Sequence, residues 1–192
     1  TKRNFEQTIR DYLAFEIKHG LTLLEDKFKY SYVPVELDIK KWKEFKVEDL
    51  FIVERGKINN ITGLAEGDCP IVSAYGENQG IAFFADEEPR YSNCLTASMN
   101  GSKTGYVTYH GYGFNANADC GVLIPKFNMD IYTGLFIATV MKQFSYKYIY
   151  GRKLTKTRLN LEIIKLPVNR IGKIDLEYMR SYMMSLPYSD KI

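Results

Sequence analysis

The chain is poor in the residues that staple small proteins or ligate metals. Its 192 residues include three cysteines, two histidines and one tryptophan. Cys69, Cys94 and Cys120 are odd in number and show no CxxC spacing, which argues against a disulfide framework or a zinc site and fits a reducing compartment. They read as small buried hydrophobes. No apolar run approaches the roughly 18–20 residues that cross a bilayer, and no signal peptide is visible. The expected location is therefore cytoplasmic, with no membrane partner. Repeats and low-complexity segments are absent. Net charge is small, at +3, and by itself implies no partner. The chain begins at Thr1 and not Met, as a processed product or a piece of a longer polypeptide would.

Signals of catalysis are equally sparse. Gly76–Gly80 and Gly111–Gly113 lack the strand–glycine–helix setting of a cofactor site. Asn100-Gly-Ser-Lys103-Thr104 looks like a P-loop but misses the upstream glycine and the glycine before the lysine. Glu36, Asp38 and Lys40 fall short of a nuclease cluster, which needs another acid upstream. His110 has no matched carboxylate and reads as structural. The Asn60-Ile61-Thr62 sequon carries little weight in a cytosolic protein. No catalytic residue, metal ligand or cofactor is nominated.

What the chain does have is 45% hydrophobic residues, enough for a sizeable core. Its centre is residues 92–126, read as short strands at Cys94–Ala97, Gly105–Tyr109 and Gly121–Ile124. Between them lie small, amide-rich turns, and Asn100-Gly101 favours a tight hairpin. Such turns place amides, hydroxyls, a lysine and rings on a rigid base, as a reading surface would. Further strands are expected at Ile71–Ala74 and Ile81–Phe84, with a turn at Gly67–Pro70, and a helix at Leu135–Phe144. Leu159–Leu166 reads as a strand ended by Pro167. The tail, Ile174–Leu186, reads as a helix with an apolar stripe. An amphipathic helix is expected over Phe5–His19, followed by an arm. The fold class is α+β, divided into residues 1–40 (helix and arm), 41–173 (main domain) and 174–192 (C-terminal helix).

Charge is uneven. Between Lys142 and Lys173 lie nine cations (Lys142, Lys147, Arg152, Lys153, Lys156, Arg158, Lys165, Arg170, Lys173) against one acid, Glu162. That excess suits an anionic partner, although a solvated face gives the same pattern.

The order of fragments resembles the target recognition domain of type I restriction-modification specificity subunits and of the related type IIG and BcgI-like enzymes. The matching residues include Trp42-Lys-Glu-Phe45, Asp49-Leu-Phe51, Gly67-Asp-Cys-Pro70-Ile-Val-Ser73-Ala and Gln79-Gly80-Ile81. They continue through Cys94-Leu-Thr96, Asn100-Gly101, Val122-Leu-Ile-Pro125-Lys126, Tyr146-Lys-Tyr148, Tyr150-Gly151-Arg152 and Leu166-Pro167-Val168. The set ends at Leu186-Pro-Tyr-Ser189. The segment before Lys41 does not match. The resemblance implies a twisted, double-β-helix-like β region with C-terminal helices, and an N-terminal helical arm is added here. It also implies binding to one half of a split double-stranded DNA target. The partner would be an adenine methyltransferase subunit or fused domain that carries S-adenosylmethionine, and a second specificity chain is a further candidate. The Asn/Asp-Pro-Pro-aromatic motif of that partner is absent from this sequence.

Base reading needs paired donors and acceptors. The candidates are Asn59, Asn60, Ser73, Tyr75, Asn78, Gln79, Ser98, Asn100, Lys103 and Thr104, although turns also collect such residues for backbone reasons. Phosphate contact needs cations and N–H groups, for which Lys147, Tyr148, Tyr150, Arg152, Lys153, Lys156 and Arg158 are the candidates. Tyr178, Met179, Tyr182, Met183 and Leu186 form the candidate partner stripe. Two other readings stay open: a protein-interaction module on the same fold, and a single-stranded RNA binder using the rings and cations of residues 146–150.

Overall fold

The computed structural model describes residues 35–148, 152–187 and 189. Contacts divide the chain between Val33 and Pro34, and every described residue belongs to the second unit. The expected Phe5–His19 helix and the arm after it lie outside the described residues.

The elements run β1 (Lys43–Lys46), α1 (Val47–Leu50), β2 (Phe51–Arg55), β3 (Glu66–Val72), β4 (Ile81–Ala85), β5 (Cys94–Ser98), β6 (Val107–His110), β7 (Asn115–Ala116), β8 (Cys120–Pro125), α2 (Ile131–Met141), α3 (Lys156–Leu161), β9 (Ile163–Leu166) and α4 (Leu176–Met184). Short 3-10 turns occupy Ile39–Lys41, Asn78–Gly80 and Lys142–Lys147. One antiparallel sheet has the order β2-β8-β5-β6, a second β4-β3-β7, and β1 pairs with β9. Within the second sheet, β3 and β7 run parallel. The α+β expectation holds.

The two central strands of the four-stranded sheet, β5 and the first four residues of β8, are buried on both faces. Leu95, Ala97, Val107 and Leu123 enter the main core with Phe136, Ile137 and Met141 of α2. Their neighbours Cys94, Cys120 and Val122 enter a second core with Val72, Phe114 and Ala116. Double burial explains why β5 and β8 carry nearly continuous apolar runs and not an alternation. All three cysteines are free and buried. Burial raises the Cys94 and Cys120 thiols to about 11 and about 12, so they stay protonated and inert.

Helix α2 starts at Ile131, earlier than the apolar pattern suggested. Asp130 accepts from the Thr133 backbone N–H at 2.8 Å and completes a capping box with the Thr133 hydroxyl. The helix lies close on β6, because a Cβ on Gly134 would fall 2.3 Å from the Tyr109 ring. Asp130 also pairs with Arg180 of α4, which ties the last helix to the start of α2. Met179 is fully buried in the main core, and Tyr182 stacks edge-on against Phe136 at 5.8 Å.

Three local expectations are corrected. Of the expected strand Leu159–Leu166, residues 159–161 belong instead to the helix Lys156–Leu161, because the Thr155 hydroxyl caps the Arg158 N–H and Leu159 is buried on the core side; only Ile163–Leu166 is strand. Gly67–Pro70 lies inside β3, where a register shift between Glu66 and Cys69 absorbs the turn-forming residues. Asn100-Gly101 sits in the longer connection between β5 and β6 and not in a two-residue hairpin. Its bends fall at Gly101 and Gly105, whose φ values are 78° and 84°.

His110 ends β6 with no exposed surface, and its ring packs 4.7 Å from Phe114. Burial pushes its imidazole from the ordinary 6.5 down to about 4. The folded chain therefore holds it neutral while the unfolded chain takes up a proton first, so stability falls as pH drops from about 6.5 towards 4. The loss attributable to this side chain is about 3 kcal/mol at the acid end. Urea midpoints measured between pH 7 and 4.5 should fall less steeply for His110→Asn than for the parent; equal slopes would show that His110 does not carry this dependence. Gly134→Ala should lose about 1–3 kcal/mol by overpacking against Tyr109, more than the roughly 1 kcal/mol that alanine adds to a helix. Unchanged or raised stability would refute the close approach.

Candidate nucleic-acid interface

Strand register brings the polar connections together. Arg55 lies opposite Gly121, Ser98 opposite Cys120 and Ala97 opposite Val107. Hence β2 and β5 end where β6 and β8 begin. Val72 pairs with both Ala116 and Ile81, so β3 ends and β4 begins where the chain leaves β7 for β8. The connections that follow β2, β3, β5 and β7 therefore leave from one end of the β layers.

At that end the tips touch. A Cβ on Gly76 would fall 2.3 Å from Cγ of Lys103, so the lysine stem lies directly on the Gly76 backbone. Any side chain at position 76 would displace it. A Cβ on Gly105 would fall 2.8 Å from Cα of Ser145, which seats the β5–β6 connection on the turn that follows α2. Lys142 in that turn holds its ammonium 4.5 Å from the centre of the Tyr106 ring, within cation–π range. Between these parts lies a cleft of about 300 Å³, lined by Asn78, Gln79, Tyr106, Thr108, Thr139 and Lys142 among others.

The base-reading candidates sort by exposure. Asn59, Asn60, Tyr75, Asn78, Gln79 and Lys103 are exposed, and Ser73 and Asn100 are half-buried. The Asn60 carboxamide oxygen accepts from the Thr62 backbone N–H and hydroxyl at 3.0 and 2.7 Å. Asn100 donates to Asp119 at 3.4 Å. Ser98 and Thr104 are corrected: both are buried. Ser98 closes β5, and the Thr104 hydroxyl donates to the Gly101 carbonyl at 2.7 Å. They shape the loop and present nothing outward.

The basic stretch is corrected in part. Tyr148 is buried, and its hydroxyl donates to Glu162. Desolvation first and the Glu162 carboxylate second push that phenol far above its ordinary value. It is therefore unavailable for stacking, which weakens the ring-and-cation reading. Lys147 pairs with Glu162 at 2.7 Å. Tyr150 lies outside the described residues. Arg152, Lys153, Lys156 and Arg158 are all exposed, and none forms an ion pair among the described residues. Buried Leu154 and Leu159 pin this segment to the core. A Cβ on Gly121 would meet Leu159 at 2.8 Å, so α3 stands beside the first residues of β8, at the same end as the tips.

The partner stripe on α4 is spent largely on its own domain. Met179 is fully buried, which removes it from any outside contact. Tyr178, Tyr182, Met183 and Leu186 are half-buried, and the Tyr178 hydroxyl donates to the Glu36 carbonyl.

Tyr106, Thr108 and Lys142 were not among the candidates. The signal was present: in Tyr106-Val107-Thr108-Tyr109, Val107 and Tyr109 point into the core, which turns Tyr106 and Thr108 towards the cleft. Among the described residues, no group of three or more His, Cys, Asp or Glu side chains could hold a metal ion. No helix among them is long and apolar enough to cross a membrane.

Residues 39–186 match the type I restriction modification DNA specificity domain. The chain is 28% identical over 184 residues to the type II restriction enzyme BgcI specificity subunit S.BcgI of Heyndrickxia coagulans, covering 92% of this chain and 54% of that protein. In fold it resembles the type I restriction-modification S subunit from M. genitalium, with a TM-score of 0.62 at 17% identity, covering 96% of this chain and 48% of the other. It also resembles the HsdS subunit from Thermoanaerobacter tengcongensis, with a TM-score of 0.55 at 14% identity, covering 98% and 46%. The chain thus spans about half the length of the specificity subunits it matches. On the match over residues 39–186, this chain belongs to the family of type I restriction modification DNA specificity domains.

Proposed function

We propose that this chain reads part of a double-stranded DNA target for a restriction-modification system. It would thereby direct an adenine methyltransferase, supplied by a partner subunit or a fused domain, to that sequence. One observation carries the reading: the 73–80 and 99–106 connections meet through Lys103 on Gly76, and Tyr106 of the second connection holds the Lys142 ammonium over its ring. Carboxamides, a tyrosine ring and a lysine are thus held on a rigid base at the spacing of neighbouring side chains. Asn and Gln can pair with adenine in the major groove, and Lys can reach guanine.

Two roles divide along the surface. Tyr75, Asn78, Gln79, Asn100 and Lys103 face the bases. Arg152, Lys153, Lys156 and Arg158 hold phosphates, which fix orientation and carry no sequence information. The chemistry belongs to the methyltransferase, which would bind S-adenosylmethionine and flip the adenine. Since α4 packs on α2, the docking of a methyltransferase would use its remaining exposed side, where Met184 is 53% exposed.

Selection from a pool of randomised duplexes tests this reading. Enrichment of one short sequence is expected, with affinity that falls steeply as salt rises. Enrichment of no sequence would overturn it. Lys103→Ala should cost about 1–3 kcal/mol on the selected duplex and relax the choice at one base pair. Arg152→Ala should weaken all duplexes about equally and lower the salt slope by about 1. Equal behaviour of the two variants would sink the division of roles.

A further inference from the structure

A hydrogen-bonded line runs from the second core to a loop tip. Thr96 Oγ1 lies 2.8 Å from His110 Nε2. His110 Nδ1 lies 3.0 Å from the Tyr112 hydroxyl oxygen. That hydroxyl donates to Oε1 of Gln79 at 3.3 Å. Thr96 and His110 are buried, Tyr112 is 37% exposed, and Gln79 is exposed. The line thus starts where no water competes and ends at the surface.

The direction of the line follows from the Gln79 amide, whose oxygen faces Tyr112. Tyr112 has one proton, and it goes to Gln79. The His110 Nδ1 must then carry a proton and donate it to the tyrosine oxygen. Burial keeps the ring neutral, so Nε2 is bare and accepts from the Thr96 hydroxyl. With the amide oxygen facing Tyr112, one tautomer satisfies all three contacts, and bonds aligned this way polarise one another.

The backbone at the outer end is unusual. Asn78, Gln79 and Gly80 have φ values of 46°, 55° and 84°. Two non-glycine residues in the left-handed region are a costly conformation, of the kind that gathers at functional sites. The Ser73 N–H donates to the Gly80 carbonyl at 2.8 Å and closes the loop beneath them. The backbone of the tip is thereby held.

We propose that Thr96, His110 and Tyr112 act as a positioning relay that locks the Gln79 amide with its oxygen turned to the tyrosine and its NH2 turned outward. Gln79 is then a donor. It selects a hydrogen-bond acceptor on a base edge, such as N7 or O6 of guanine, N7 of adenine or O4 of thymine. It disfavours the N4 amino group of cytosine. An unlocked glutamine could turn over and accept either pattern, so the relay converts an ambiguous reader into a polar one. This rests on the DNA-reading proposal, and two measurements keep the two apart.

The first needs no DNA. Imidazole nitrogen shifts of the free chain should show His110 protonated at Nδ1 and bare at Nε2, and Tyr112→Phe should abolish the ordered Gln79 side-chain amide signals. A proton on Nε2 with Nδ1 bare would overturn the relay, because the Tyr112 proton would then be spent on the histidine. The second uses the randomised duplex pool. Gln79→Ala should relax one base position, and Tyr112→Phe should relax the same position by about tenfold. The double variant should go no further than Gln79→Ala. A parent chain that selects a sequence while Tyr112→Phe leaves that choice unchanged, or relaxes another position, would overturn the inference alone. A parent that selects nothing would overturn the DNA reading and, with it, the assigned ligand.

Discussion

Strand β8 sets the geometry on which everything else depends. It is hydrogen-bonded to β2 on one side and β5 on the other, and its side chains enter a different core on each face. A slip of one residue would exchange Leu123 with Val122 and leave both cores badly packed. Leu95, Val122 and Leu123 are fully buried, each worth about 1.5–3 kcal/mol, so the register is firmly held. Because it is held, the ends of β2 and β5 and the starts of β6 and β8 must coincide. The polar connections have no freedom to scatter. A rigid two-sided sheet thus serves as the mount for loops whose own sequences favour bending.

The loops in turn are fixed by contacts that glycine alone permits. Gly76 lets Lys103 lie flat across the backbone, and Gly105 lets the β5–β6 connection sit on Ser145. Both contacts replace free loop motion with packing, which lowers the ordering cost of binding. The charge distribution complements this. The one acid of the basic stretch is consumed by Lys147 and Tyr148, which leaves the cations of 152–158 exposed around it. Under the proposed reading, these exposed cations would meet the phosphates at the tip end of the β layers.

Much of this was legible in the sequence, and particular residues show why the rest was not. The central strands followed from β-branched and aromatic runs, and the exposed tip residues Asn78, Gln79 and Lys103 followed from turn chemistry. The resemblance to specificity subunits rested on ordered fragments from Trp42 onward, and the family match over residues 39–186 bears it out. Ser98, Thr104, Tyr148 and Met179 misled, because composition does not tell which way a side chain points once tertiary packing decides. The 156–161 helix was hidden behind an apolar run that suits either period, and the Thr155 cap decided it. The His110 relay joins residues far apart in the chain, from Thr96 to Gln79 by way of Tyr112. No local pattern encodes it.

Backbone amide exchange with and without a selected DNA duplex tests the central claim most directly. Slowed exchange confined to residues 73–80, 99–106, 142–147 and 152–158 is the expected result, with no change at 47–50 and 126–130, which the Phe51–Pro125 pairing places at the opposite end. Protection centred on that opposite end, or spread evenly over the chain, would contradict it.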